Sequence, residues 1–324
     1  MTHPVVALVA AAAVGAPHVA FVIGDSRITE SSGLVASPTH AGVYWTHNDS
    51  GDSSRTFALD SRGRTLGVWR WQVAKARDWE AVTASTDPAG RGLLWAGDIG
   101  DNSGSRTNGI LVHRAVEPAE VAGGGTLRAT SYRLRYPDEP HDAEAMFVGR
   151  DGRLRVVTKG LLGGRVFVVP KSLSSAHPNV LEPEADAPFL VTDAAEMPNG
   201  DYVLRNYTTA YLYEADGALI QSFDLPEQPQ GESMTVVDGG KALLVGSEGR
   251  RSTVLRVPVP TVPAPEPMPS GTAPVEPGAS AAADDDETLR RVVRGLTVVT
   301  TTAAGLLVLV LVGAGAAWLR GRRR

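Results

Sequence analysis

Three glutamates stand at recurring places in this sequence. Glu80, Glu144 and Glu232 each sit in a short motif that opens an apolar strand: Trp79-Glu80-Ala81-Val82, Ala143-Glu144-Ala145-Met146 and Gly231-Glu232-Ser233-Met234. Two further openings carry hydroxyls, Ser31-Ser32-Gly33-Leu34 and Val191-Thr192-Asp193-Ala194. Carboxylates brought together without a cation repel, and some must then keep a proton. A hard divalent cation removes that conflict. Ca²⁺ takes about six to eight oxygen ligands at roughly 2.3–2.6 Å in irregular geometry. Glu, Ser and Thr oxygens, backbone carbonyls and water suit it better than zinc, and no His-rich set competes. The alternative is that these glutamates hydrate a wide channel or pair with arginines.

A second group of polar residues follows at the ends of the next strands. These are Trp45-Thr46-His47-Asn48-Asp49 with Asp52, Trp95-Ala96-Gly97-Asp98 with Asp101 and Asn102, Val157-Thr158-Lys159, Leu204-Arg205-Asn206 and Gly246-Ser247-Glu248. Acids beside Lys and Arg suit a phosphate or carboxylate ligand held through an ion and charged donors. The expected ligand-binding residues are Asp49, Asp98, Asp101, Asn102, Lys159, Arg205 and Glu248, with Arg106 beside them. The competing reading is that Asp-Ser-Gly and Asp-Asn-Ser-Gly are ordinary turns, because Asp and Asn side chains bond nearby backbone. No catalytic residue is assigned.

Such groups meet only if the elements carrying them are arranged around a common point. The intervals along Ser32, Glu80, Glu144, Thr192 and Glu232 are 48, 64, 48 and 40 residues. Between openings the chain reads as several short strands, divided by turns such as Ser61-Arg62-Gly63, Arg150-Asp151-Gly152 and Ala215-Asp216-Gly217. A period of roughly 40–50 residues with several strands per unit is a propeller signature. The expected fold is therefore an all-β, five-bladed β-propeller over residues 17–257. Residues 19–23 form a spare strand that completes the last blade. Six blades and a β-sandwich are the rivals.

The openings resemble those of two five-bladed propeller families, the SdiA-regulated family and, more distantly, the calcium-activated nucleotidases (apyrases). Both tend to open successive blades with a small hydroxyl residue, Glu, Glu, a hydroxyl residue and Glu. Here that series is Ser32, Glu80, Glu144, Thr192 and Glu232, and Asp78-Trp79-Glu80-Ala81-Val82 and Ser247-Glu248-Gly249 add to the likeness. The resemblance covers the propeller alone. It implies a Ca²⁺ ion at the axis, structural or functional, with those five residues as its ligands. Thr192 departs from the pattern in one respect, since Asp193 could equally face the axis.

Composition and the two ends set the remaining bounds. The 324 residues include 35 Gly and 22 Pro and no Cys, which excludes disulfides, thiolate zinc sites and a cysteine nucleophile. A formal net charge of −5 gives no electrostatic footprint for nucleic acid. Residues 295–319 carry no charge, and as a helix they would span roughly 37 Å, enough to cross a bilayer. A basic tail, 320–324, follows. Residues 258–294 are Pro/Ala-rich and then acidic, and read as a stalk. Residues 1–16 have the apolar run of a signal peptide. The chain is thus expected in the plasma membrane through a single C-terminal helix, with the propeller extracytoplasmic and the tail cytoplasmic.

Three functions fit that layout. The first is a module that binds or senses an unidentified small molecule or protein. The second is a calcium-dependent hydrolase of phosphoanhydrides or phosphoesters, and the third a passive envelope scaffold. Gly24-Asp25-Ser26 and Asp138-Glu139-Pro140-His141 have the form of SGNH hydrolase blocks, but those enzymes need helices between strands that this sequence lacks. No Walker A loop, nucleophile elbow, dinucleotide fingerprint or His-Glu-x-x-His occurs.

Overall fold

Glycine and aspartate cut this chain into short extended segments, and nearly every regular element they bound is a strand. The structure, a computed structural model, describes residues 15–49 and 51–261. Strand β1 (His18–Val22) precedes a first antiparallel run of β2 (Ser31–Ala36), β3 (Val43–Asn48), β4 (Arg55–Asp60) and β5 (Thr65–Gln72). The second run is β6 (Trp79–Thr86), β7 (Gly92–Asp98), β8 (Ile110–Val116) and β9 (Gly125–Arg135). The third holds β10 (Ala143–Val148), β11 (Leu154–Thr158) and β12 (Gly164–Val168), then the two-residue β13 (Asn179–Val180), laid parallel on β9, and β14 (Glu182–Ala187). The fourth is β15 (Asp193–Glu196), β16 (Tyr202–Arg205), β17 (Thr209–Tyr213) and β18 (Leu219–Asp224). The last is β19 (Gly231–Val237), β20 (Ala242–Ser247) and β21 (Thr253–Pro258), and its fourth strand is β1. The spare N-terminal strand of the sequence therefore pairs antiparallel with the last one, His18 opposite Arg256 and Val22 opposite Thr253.

Turn chemistry explains where the strands stop. Asp60 accepts the N–H groups of Arg62 and Arg64, both at 2.9 Å, and Gly63 supplies the left-handed residue at φ +74°. A Cβ at Gly63 would also lie 2.1 Å from the Val22 carbonyl oxygen, so the turn admits only glycine. Asp87 and Gly90 repeat the same device between β6 and β7.

The buried apolar residues fall into clusters that join neighbouring runs. Trp45 and Trp71 meet Leu94 and Ala115 between the first and second. Trp95 and Tyr132 meet Val156 and Phe167 between the second and third. Phe147 meets Tyr202 between the third and fourth, and Leu212 meets Val245 between the fourth and the last. A fifth cluster closes the circle, with Phe21 and Val254 against Leu34 and Phe57. At the centre, β2, β6, β10, β15 and β19 all line one cavity of about 160 Å³. The fold is all-β and propeller-like.

One departure from separate repeat units lies at the periphery. Trp69–Gln72 of β5 pair in parallel with Gly125–Arg128 of β9, which joins the first two runs edge to edge. Glycine permits this approach: a Cβ on Gly67 would meet the Val121 carbonyl oxygen at 2.3 Å, and one on Gly124 the Val68 carbonyl oxygen at 2.3 Å. The expected span 295–319, the basic tail and all but the first residues of the stalk lie outside the described residues. Among the described residues no helix is long and apolar enough to cross a membrane.

Candidate metal centre

The ladders themselves single out four of the residues at the strand openings. In β2 the register passes from Ser31 opposite Asn48 to Gly33 opposite His47, which leaves Ser32 over. β6 leaves out Glu80, β10 leaves out Glu144, and β19 leaves out Glu232 together with Ser233. A bulge frees one residue from pairing, bends the strand and re-aims the side chain. The four are buried.

The fourth run differs. The Thr192 N–H donates to the Arg205 carbonyl at 2.9 Å, and the Thr192 hydroxyl donates to the Gly231 carbonyl at 3.4 Å, so this expected cation ligand is turned to backbone. Its neighbour Asp193 is buried and accepts the N–H groups of Ala194 at 2.8 Å and Met234 at 2.6 Å, with Leu34 as a third donor. Leu34 lies on β2 and Met234 on β19, so one carboxyl clamps three inner strands. Burial still holds its pKa well above the usual carboxylate range.

Acids converge beside the bulges. Asp49, Asp78 and Glu80 each bring a carboxylate oxygen within 4.8 Å of the others. Gly100 leaves the space for two of them, since a Cβ there would lie 2.5 Å from both Asp78 Oδ2 and Glu80 Oε1. Burial pushes Glu80 up to about 10, and the charges of Glu144, Asp49, Asp78 and Asp142 add to the effect. Burial also raises Glu144, which Lys159 pulls back in part and Glu232 raises further. The Lys159 ammonium donates to Glu144 Oε1 at 2.5 Å and to the Tyr207 hydroxyl at 2.9 Å. Burial draws Lys159 down, but Glu144, Tyr207 and Glu232 outweigh it and hold the ammonium charged. Glu232 is raised by burial and accepts from the Gln230 amide at 3.2 Å. Glu248 accepts from the Ser32 hydroxyl at 2.8 Å, yet burial pushes it up to about 7.

Register sorts the second-strand ends into two kinds. Asn48, Asp98, Thr158, Arg205 and Ser247 stand opposite Ser31, Trp79, Ala143, Asp193 and Gly231. All five are buried, and most grip backbone. Asn48 accepts the N–H groups of Thr29 and Glu30, Asp98 those of Arg77 and Asp78, and the Ser247 hydroxyl that of Gln230. Arg205 has no exposed surface and donates to the Ser233 carbonyl at 3.0 Å and the Gly246 carbonyl at 3.3 Å. Asp98 and Arg205 thus hold the framework instead of reaching the mouth. The next residues, Asp49, Lys159 and Glu248, are the ones that meet the acid set, and at the matching place after Asp98 stands the buried, apolar Ile99. Asp101 is taken up by its own turn, accepting the N–H groups of Ser105 and Arg106, and Asn102 is exposed on that turn. The expected ligand set therefore divides: Asp49, Lys159 and Glu248 come together, while Asp98, Asp101, Asn102 and Arg205 do not.

Asp78 joins these acids without having been expected among them. The signal was an acid two residues before the bulged one, repeated as Glu30-Ser31-Ser32, Asp78-Trp79-Glu80 and Asp142-Ala143-Glu144, with Gln230 at the same place before Glu232. Burial raises Glu30 and Asp78, and Asp49 raises both further.

No family model and no curated protein matches this sequence. Among solved structures, the PQQ-bound form of aldose sugar dehydrogenase from Streptomyces coelicolor is 11% identical with a TM-score of 0.46, covering 75% of this chain and 98% of that one. A putative gluconolactonase is 11% identical with a TM-score of 0.44, covering 76% and 93%. A gluconolactonase from Xanthomonas campestris is 12% identical with a TM-score of 0.41, covering 77% and 96%. At such distances the chemistry of those enzymes stays with them.

Proposed function

We propose that this chain is a five-bladed, membrane-anchored propeller that holds a divalent cation, Ca²⁺ by its donor chemistry, at one mouth of its axis. There it binds or senses a ligand or partner outside the cytoplasm. The observation that carries the reading is the convergence of Asp49, Asp78 and Glu80. Oxygens bound to one Ca²⁺ lie no more than about 5 Å apart, twice the metal–oxygen distance, and three carboxylate oxygens within 4.8 Å meet that limit. Without a cation, burial first and the neighbouring acids second push Glu80 up to about 10. The donors are all oxygen, which favours Ca²⁺ over softer metals. Bound Ca²⁺ would supply a fixed positive charge to which an anionic or hydroxylated ligand can add its own oxygens.

The blade count is supported by the five interfacial clusters, which run from each four-stranded group to the next and back to the first. The anchor and the extracytoplasmic placement rest on the sequence of 295–319 and 1–16. The test is a Ca²⁺ titration of the chelator-stripped protein by calorimetry. We expect one saturable site that Glu80→Gln abolishes. A stripped protein that takes up no Ca²⁺, or a Glu80→Gln protein that binds it as well as the parent, would overturn the reading.

Lys159 favours a second reading, metal-assisted hydrolysis of a phosphoanhydride or ester. Its ammonium is part-buried beside the acids and could neutralise charge that develops on a transferred group. Release of phosphate from nucleoside triphosphates, dependent on Ca²⁺ and lost in Lys159→Ala, would support it.

A further inference from the structure

A second pocket opens on the face that carries the acid set, outward along the second run. It has a volume of about 270 Å³, and its walls bear Lys75, Arg77, Arg106 and Arg133 against a single acid, Asp98. The register places both sites on one face. Trp79 at the start of β6 stands opposite Asp98 at the end of β7, and Ile110 at the start of β8 stands opposite Leu134 near the end of β9. The two sites share a wall. Asp98 accepts the N–H of Asp78 at 2.9 Å and that of Arg77 at 3.1 Å, so one strap gives Asp78 to the acids and Arg77 to the basic pocket.

The charges in this pocket do not cancel. Asp98 is already engaged by Arg106, whose Nη2 donates to Oδ1 at 2.5 Å. Among the described residues no carboxylate accepts from the other three cations. Arg77 Nη2 donates to the Ser105 hydroxyl at 2.6 Å, Arg133 Nη1 donates to the Asn108 carbonyl at 3.2 Å, and the Lys75 ammonium has no partner among the described residues. Lys75, Arg77 and Arg133 are exposed, so water screens their repulsion, but three cations around one void make it attractive to an anion. Guanidinium forks match tetrahedral oxyanions with two parallel bonds each, and a phosphate group carries close to two negative charges at neutral pH. A carboxylate offers half that charge and a planar face.

We propose that this pocket is a phosphate-binding site, built to hold the phosphate of a phosphorylated small molecule. The proposal adds a ligand class to the cation-centred mouth, and its test is separable from that reading. The intact chain would be titrated with inorganic phosphate in a chelating buffer by calorimetry, with acetate as the comparison. We expect saturable phosphate binding without Ca²⁺, weakening as salt rises, and acetate binding at least about tenfold weaker. The Arg77→Ala/Arg133→Ala double variant should lose about tenfold or more in phosphate affinity, the loss of at least one charge-assisted contact, with its Ca²⁺ titration unchanged. Glu80→Gln should show the reverse, with phosphate retained and Ca²⁺ lost. Failure of phosphate to bind, equal binding in the double variant, or acetate binding as tightly as phosphate would each overturn the proposal. Loss of Ca²⁺ binding alone would sink the mouth and leave this pocket standing.

Discussion

Glu80 is poorly suited to carrying a charge where it lies, and its titration separates an empty centre from a filled one. Its pKa in the fold is about 10, against an ordinary value near 4.5. The folded state therefore binds the proton more tightly than the unfolded one. The stability this gives is whole below pH 4.5 and is lost as pH rises toward 10. A chelator-treated protein should melt several degrees higher at pH 5 than at pH 8, since each kcal/mol moves the midpoint by about 2–4 °C in a domain of this size. Saturating Ca²⁺ should raise the pH 8 midpoint and flatten the profile. Glu80→Gln should make it shallower without Ca²⁺, the remaining slope coming from Glu144 and Glu248, and thermal melts across that range decide the matter. Gly100→Ala tests the space beside this carboxyl. A methyl 2.5 Å from two carboxylate oxygens of the proposed site has to displace them, so Ca²⁺ affinity should fall by about tenfold or more while far-ultraviolet circular dichroism stays that of the parent. The residues left over by the bulges, Ser32, Glu80, Glu144 and Glu232, were legible in the sequence because they recur with the strand openings. Asp49 and Asp98 look alike at strand ends, and only the register shows that they stand one residue out of step.

At the scale of elements, turns and strand starts could be read, because Asp and Gly fix them locally. The parallel join of β5 to β9 could not, since it depends on two glycines meeting backbone far away in sequence. The Asp193 clamp was half visible, as one of two residues able to face the axis. Its role follows from which N–H groups it accepts. Removing the carboxyl in Asp193→Ala strands the N–H groups of Met234 and Leu34 inside the domain, and each buried orphan costs about 1–3 kcal/mol. We expect a loss of about 2–4 kcal/mol in urea denaturation. Thr192→Val should cost about 1 kcal/mol or less, because its hydroxyl contact is long at 3.4 Å. Equal losses in the two variants would mean that Asp193 does not tie the inner strands together.

For the whole molecule, the decisive contact is between first strand and last. The last group takes its fourth strand from the N-terminal end of the described residues, β1 on β21, and this ties the two ends of the ring together. The same seam buries Phe21 and Ile23 against Leu34, Phe57 and Val254. It is also bridged at the mouth, where the Ser32 hydroxyl, from the first run, donates to Glu248, which follows β20 of the last. Closure and cation binding should therefore fail together. Phe21→Ala removes a buried ring from the seam and should cost about 3–5 kcal/mol. Phe147→Ala removes one of similar burial from the interface of the third and fourth groups, away from the seam, and should cost a comparable amount. If the seam holds the mouth in shape, Phe21→Ala should weaken Ca²⁺ binding in calorimetry at a temperature where both variants remain folded, and Phe147→Ala should leave it near the parent value. Equal Ca²⁺ affinity in the two would separate closure from the centre and leave the acids to organise themselves within the first three groups.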